Sequence, residues 1–293
     1  MQLVEIKAEI PLSAVESIDG ILLETENVGW NIVEDVIEHR AWIVGMFSDG
    51  DEARIQWGKL MPQTANYGLG EPVFRTVVEQ EWRDSYKTHF KAWQFGHLHW
   101  VPIWERGSFQ LPMGHEVLWL DPGMAFGTGN HETTRLCVER LVEWVQTKGH
   151  QARVLDAGCG SGILALSASK LGFTQVCGFD NDEEAVRVSC ENAQQNGLLG
   201  RVDFYQGDLI TGLNGRQAEL VLANILADVL MHHAHELVAS VAVGGQLVLS
   251  GILAVENPKV AEVFSTIAPN WAMESHVLGE WSDLVLKRSD QMI

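Results

Sequence analysis

The sequence predicts an α/β fold in which a doubly wound, mostly parallel sheet follows a smaller α+β unit. Three observations point to it. Val154-Leu155-Asp156-Ala157-Gly158-Cys159-Gly160-Ser161-Gly162 reads as a buried strand running straight into a glycine turn, with a helix over 163–171 immediately after it. Gln175-Val176-Cys177-Gly178-Phe179-Asp180 is a second strand that ends in an acid about twenty residues beyond the glycines. Further strands at 201–206, 219–223 and 246–250 continue the pattern, and 271–278 with 283–287 read as a closing antiparallel hairpin at the sheet edge.

The glycines decide what the turn can hold. With no side chains at 158, 160 and 162, the backbone can turn sharply and lie against a nucleoside-sized ligand. A dinucleotide frame, G-x-G-x-x-G, places its last position on Ile163 when started at Gly158, and on Ala165, the weaker alanine variant, when started at Gly160. What fits without a gap is Asp156-x-Gly158-x-Gly160-x-Gly162, which resembles the first motif of class I S-adenosylmethionine-dependent methyltransferases. A tight strand-to-helix turn without a ligand is the bland alternative. Asp180 is placed where a carboxylate accepts from both ribose hydroxyls. It is equally a candidate helix cap, because Asn181-Asp182-Glu183-Glu184 opens the next helix, and the two roles are compatible.

A chain of 293 residues and 32.5 kDa exceeds one doubly wound domain of roughly 150–200 residues, so two domains are expected. The net charge of −19 and pI near 4.9 argue against a phosphate-binding surface, since each neutralised phosphate calls for a nearby cation. A basic protein partner is expected instead, without direct nucleic-acid contact. Cysteines 137, 159, 177 and 190 show no C-x-x-C pair, zinc spacing or disulfide framework, which fits a reduced, cytoplasmic location. The first residues lack a basic region followed by an apolar core. Residues 237–255 are uncharged, but Gly244-Gly245-Gln246 is expected to break them into a helix end and a buried strand, so no membrane span is assigned.

In the N-terminal part, 3–10 alternates as a half-buried strand, and Ser13 to Glu16 offers a capping box for a helix whose Val15, Ile18, Ile21 and Leu22 share a face. Strands follow at 30–37 and 41–47, with Asp49-Gly50-Asp51 closing the pair. A helix at about 52–61 and a strand at 72–78 complete a β-α-β-β-α-β order of the ferredoxin-like kind. Residues 1–80 hold 14 Asp and Glu against 5 Lys and Arg, so this domain either docks on something basic or simply carries a solvated acidic surface.

Residues 81–119 form an expected aromatic-rich connector packed on both domains. Trp82, Tyr86, Phe90 and Trp93 recur at helical spacing, and Trp100-Val101-Pro102-Ile103-Trp104 is a stiff extended segment. Core packing is favoured for the aromatic stripe over a cage for a methylated ammonium. His89, His97, His99 and His115 lack ligand spacing on one face, and no metal is assigned. The catalytic domain is expected over 120–293. It opens on the glycine-rich loop Asp121-Pro122-Gly123-Met124-Ala125-Phe126-Gly127-Thr128-Gly129-Asn130-His131, which enters a helix at 132–145 and sits where a lid would.

Three stretches together are similar to one family, the PrmA-type ribosomal protein methyltransferases. They are Asp121 to Gly129 with His131-Glu132-Thr133-Thr134, the Asp156 to Gly162 turn, and Ala223-Asn224-Ile225-Leu226 after the fourth strand. The resemblance implies a seven-stranded class I methyltransferase sheet of Rossmann-like type, an N-terminal domain that recognises the substrate, and methylation of lysines on large-subunit protein eleven with S-adenosylmethionine. It also implies cofactor contacts at Thr134, Gly158, Asp180 and Asn224. Gly160 and Phe126 are added from the turn and the lid. Asp208 is added as a group within reach of the adenine amino group, although a turn aspartate is an equal reading. The chain departs from the family's usual pattern at Tyr86, Ile103 and Glu132.

The implied reaction displaces a sulfonium methyl by an amine, which requires donor and acceptor in line at roughly 3 Å with water excluded. Asn224 is the candidate catalytic residue, its amide oxygen accepting from the amine and aiming the nitrogen lone pair. A buried structural asparagine is its alternative, and His131 is a candidate base. Rival classes are an NAD-dependent oxidoreductase, a lysine methyltransferase of another protein, and a non-catalytic cofactor-binding interaction protein. The protein is expected to work as a monomer.

Overall fold

In the computed structural model, which describes residues 2–24, 29–35, 40–78, 91–120 and 132–289, the chain divides into two units, Met1–Phe90 and Lys91–Ile293. The smaller unit contains β1 (Gln2–Ile10), α1 (Val15–Glu24), β2 (Trp30–Asp35), β3 (Arg40–Phe47), α2 (Gly50–Thr64) and β4 (Val73–Val78). Its strands lie in the order β2-β3-β1-β4 with every neighbour antiparallel, the arrangement expected of a ferredoxin-like domain. Alternation along the strands sends Ile6, Ala8, Ile10, Ala41, Ile43 and Phe47 to one face, where they meet Ile18 and Leu22 of α1 and Ala53 and Leu60 of α2.

Two local expectations are corrected here. Ser13 lies inside a 3₁₀ turn, Leu12–Ala14, which the Ala14 N–H closes onto the Pro11 carbonyl at 2.9 Å, so it does not cap α1. Asp49 belongs to the following helix: its carboxylate accepts from the Asp51 and Glu52 N–H groups and caps α2.

The larger unit begins with a small sheet of β5 (Trp93–Phe95), β6 (Leu98–Pro102) and β7 (Glu116–Leu120). Trp93 therefore stands in a strand rather than on a helix, while Trp82, Tyr86, Phe90 and His89 lie outside the described residues. Residues 91–120 are part of the larger unit. Phe95, Leu98, Trp100 and Leu118 share a core with the helices beyond, and the Trp100 indole N–H donates to Ser167 Oγ at 2.9 Å. His99 Nε2 and His115 Nδ1 are 2.7 Å apart, and burial holds His99 below the usual imidazole range, with His115 adding to the effect.

Then follow α3 (Glu132–Lys148), β8 (Arg153–Ala157), α4 (Ile163–Lys170), β9 (Gln175–Asp180), α5 (Glu183–Gln195), β10 (Val202–Gln206), β11 (Ala218–Asn224), α6 (Ala227–His232), α7 (Ala234–Ala239), β12 (Val241–Leu253), α8 (Asn257–Ile267), β13 (Ala272–Glu274), β14 (Val277–Leu278) and β15 (Trp281–Lys287). The sheet order is β10-β9-β8-β11-β12-β15-β13, with β14 also paired to β15. The first five strands are parallel, and β15 is antiparallel to β12.

Successive residues of each central strand enter opposite apolar layers. Val154, Leu220, Leu222, Val248 and Val285 pack with α3 and α4, whereas Leu155, Val221, Ala223, Leu247, Leu249, Leu284 and Leu286 pack with α6, α7 and α8. This double burial explains why the strands read as continuous hydrophobic runs. The order reverses between β8 and β11, which opens a crevice at their carboxyl ends, the place where such sheets bind ligands.

One boundary differs from expectation. Strand β12 starts at Val241, ahead of the glycines at 244 and 245, because Gly244 at φ +73° lies within a register irregularity that the strand passes through. At the edge, β15 is inserted between β12 and β13, and its Asp283 forms a bidentate pair with Arg140 of α3 at 2.7 and 3.1 Å. Both groups are buried, at 0% and 1% exposure. Among the described residues no helix is long and apolar enough to cross a membrane.

Candidate active site

Strand β8 leads into the site through Asp156, which is fully buried and whose Oδ2 accepts from the Ala165 N–H at 3.0 Å. The carboxylate thus straps the first turn of α4 to the strand that precedes the glycine turn. Burial pushes its pKa up to about 7, opposed by the Ala165 hydrogen bond and reinforced by the charge of Asp180.

The turn itself is fixed by backbone bonds. The Gly158 and Cys159 N–H groups both donate to the Phe179 carbonyl at 2.9 Å, tying the turn to β9. Gly158, Gly160 and Gly162 have φ of +73°, +51° and +77°, the left-handed region where an L side chain is strained. At Gly158 a Cβ would also lie 2.6 Å from Ile225 Cγ2. Glycine is required there both for conformation and for space.

Asp180 ends β9 with its carboxylate against this turn. Its Oδ2 accepts from the Gly160 N–H at 2.9 Å and its Oδ1 from the Asp182 N–H at 3.1 Å. The helix cap is Asp182, whose side chain accepts from Glu184, so the capping role considered for Asp180 passes two residues on. Each Asp180 oxygen retains acceptor capacity, as a carboxylate offers about four lone-pair sites. Asp208 is exposed, and its Oδ1 accepts from the Ile210 and Thr211 N–H groups and the Thr211 hydroxyl. Those bonds, led by the Thr211 backbone, hold it below the usual carboxylate range and make it a turn-shaping residue.

On the other side of the crevice, Asn224 closes β11. Its Nδ2 donates to the Thr134 hydroxyl at 3.3 Å, and Thr134 sits buried in the first turn of α3. The next residue, Ile225, fills the space between two glycines. Its side chain meets Gly158, and a Cβ on Gly251, at φ +82°, would come within 2.4 Å of its carbonyl oxygen.

The structure therefore brings two pairs of expected residues together, Gly160 with Asp180 and Thr134 with Asn224, and sets Gly158 beside Ile225. Phe126 and His131 lie outside the described residues. Sequence reasoning missed Ile225, Ser250, Gly251 and the strap made by Asp156. The available signal was Gly251, which follows the strand expected at 246–250 as Gly158 follows the first.

These residues fit a nucleoside cofactor. A side-chain-free cradle too tight for a Cβ faces a carboxylate with acceptor capacity for a diol, across the switch point of a doubly wound sheet. Fold and site define a class I S-adenosylmethionine-dependent methyltransferase, and the dinucleotide-dependent oxidoreductase alternative gives way to it.

The profile of the ribosomal protein L11 methyltransferase (PrmA) family matches residues 4–289, and the chain belongs to that family. It is 43% identical to the ribosomal protein L11 methyltransferase of Geobacter sulfurreducens over 74% of this chain and 69% of that one. It is 34% identical to the same enzyme of Geobacter sp. (strain M21) over 97% of both. Among solved structures, the ribosomal protein L11 methylase of Lactobacillus delbrueckii subsp. bulgaricus superposes with a TM-score of 0.60 at 30% identity, covering 68% of this chain and 100% of that one.

Proposed function

We propose that the protein transfers methyl groups from S-adenosylmethionine to lysine amino groups of ribosomal protein L11. A relative that matches over nearly the whole chain is named a ribosomal protein L11 methyltransferase, and the observation that carries the reading within this molecule is the Asn224–Thr134 pair at the carboxyl end of β11.

S-adenosylmethionine, when bound, supplies an electrophilic methyl group on a sulfonium. Gly158 and Gly160 leave room for the nucleoside, Asp180 accepts from its ribose hydroxyls, and Asp208, whose turn bonds use Oδ1, offers Oδ2 as an acceptor for the adenine amino group. A lysine, with an ordinary pKa of about 10.4, must lose its proton to present a lone pair, and a desolvated pocket carrying a positive charge favours the neutral amine. Because Thr134 engages the donor end of the Asn224 amide, the acceptor end, Oδ1, is presented to the amine, and its hydrogen bond directs the lone pair at the methyl. Orientation and exclusion of water, rather than a covalent enzyme intermediate, supply the acceleration.

The small acidic unit, with 14 acids against 5 bases in 1–80, docks the basic ribosomal protein and presents its lysines. The enzyme acts as a cytoplasmic monomer without direct nucleic-acid contact. The test is transfer of labelled methyl from S-adenosylmethionine to purified ribosomal proteins, with mass spectrometry locating the label. Label on L11 lysines is expected. Cofactor binding without label on any ribosomal protein would remove the substrate from this reading and leave the fold intact.

A further inference from the structure

We propose that Ser250 is a positioning residue for methyl transfer, acting through the first turn of α3 on the Asn224 amide. Ser250 is the register partner of Asn224 on the adjacent strand β12, and it is completely buried. Its hydroxyl donates to the Thr133 carbonyl at 3.0 Å, and the Cys137 thiol, one turn along α3, is in hydrogen-bonding contact with the same side chain. Thr134, next to Thr133, accepts from Asn224 Nδ2. One hydroxyl on β12 therefore holds the helix turn whose neighbouring hydroxyl holds the amide on β11.

The distances give this arrangement its consequence. At 3.3 Å the Asn224–Thr134 contact lies at the long end for an N–H···O bond, so it has little slack. A shift of α3 away from the sheet by a few tenths of an ångström breaks it, and the amide then turns freely. The platform under Ser250 has no comparable freedom. Gly251 packs its backbone so closely on Ile225 that a Cβ would lie 2.4 Å from the carbonyl oxygen, which locks the ends of β11 and β12 together. The movable partner is α3, and the Ser250 bond ties its first turn to β12. Midway along, α3 is held separately by the buried Arg140–Asp283 pair, so loss of the Ser250 bond releases the first turn without releasing the helix.

This proposal rests on Asn224 orienting the acceptor amine. Replacing Ser250 by Ala removes the bond while keeping the strand. The expected result is a fall in kcat of about tenfold or more, of the kind small misplacements produce, with cofactor Kd and substrate KM kept within about twofold. Ser250→Thr, which retains the hydroxyl, restores kcat, and Ser250→Cys, of similar volume but a poor donor, repeats the loss if the alanine variant folds badly. In a Thr134→Val background, Ser250→Ala costs little more, because the contact it protects is already gone. An unchanged kcat, a loss additive with Thr134→Val, or a loss that tracks cofactor affinity and melting temperature overturns the proposal. Full turnover by Asn224→Ala would instead remove the role of Asn224. Turnover lost in Asn224→Ala but kept in Ser250→Ala removes only that of Ser250.

Discussion

Asn224 and Thr134, ninety positions apart in the chain, meet at 3.3 Å, the amide Nδ2 of the first donating to the hydroxyl of the second. In the proposed reading this contact leaves the acceptor end of the amide for the incoming amine. Asn224→Ala is expected to lower kcat by about 10²–10³-fold, the range found when a single preorganised polar group is removed from a reacting centre. Thr134→Val, nearly isosteric, is expected to cost about tenfold by letting the amide turn. Single-turnover kinetics with labelled cofactor, beside calorimetric cofactor affinity, separate the two effects. Full turnover by Asn224→Ala would exclude the orienting role.

Asp180 accepts from the Gly160 and Asp182 N–H groups, and in the proposed reading its remaining acceptor sites take the ribose diol. Hydrogen bonds to a charged group contribute about 1.5–3 kcal/mol each, so losing two to a ribose diol is expected to weaken cofactor binding by at least about a hundredfold in Asp180→Ala. The melting temperature without cofactor should change little. Calorimetry that finds unchanged affinity would rule out the ribose contact.

Gly158→Ala places a Cβ at φ +73° and 2.6 Å from Ile225 Cγ2. Left-handed backbone costs an alanine about 1–2 kcal/mol, and the contact adds to that. Lower stability in urea and weaker cofactor binding are expected together. Ile225→Ala in the same chain removes Cγ2 and with it the contact, so the two substitutions together are expected to cost less than the sum of each alone, whereas the φ penalty remains.

Asp156 gives a pH signature. Its folded pKa, near 7, lies above the unfolded value of about 3.9, so between those limits the native state binds more protons than the unfolded chain. Its contribution to stability is present below about pH 4, falls as the pH rises, and levels above about pH 7. Asn at 156 keeps an oxygen for the Ala165 N–H and carries no charge. The stability of Asp156→Asn relative to the native protein is therefore expected to increase from pH 4 to pH 7 in urea titrations. A difference that stays flat over this range would show that the carboxylate is not protonated in the folded protein. Glu219 acts oppositely, held down at about 2 chiefly by its hydrogen bond to Arg153, and its change falls mainly below this window.

Much of the site was legible locally. A glycine that must adopt positive φ, an acid at a strand end and an asparagine closing a buried strand are each properties of a few adjacent residues, and Gly158, Asp180 and Asn224 stand at carboxyl ends of strands as expected. Boundaries were less legible where two patterns overlapped. The glycines at 244 and 245 read as a break, yet a bulge let β12 continue through them. Ser13 and Asp49 carried cap chemistry, but only Asp49 served as a cap, because the chain entered α1 through a 3₁₀ turn.

The sequence by itself determined the order of the central strands and the position of the cofactor turn, since periodicity and glycine sterics act over a few residues. Only the tertiary structure decided which groups share a bond: Thr134 with Asn224, Ser250 with Thr133, Arg140 with Asp283, and Trp100 with Ser167. Such pairs bridge 67 to 143 positions and leave no periodic trace. Their partners are chosen by which strand ends and helix turns the doubly wound packing brings within about 3 Å, the range over which a hydrogen bond acts.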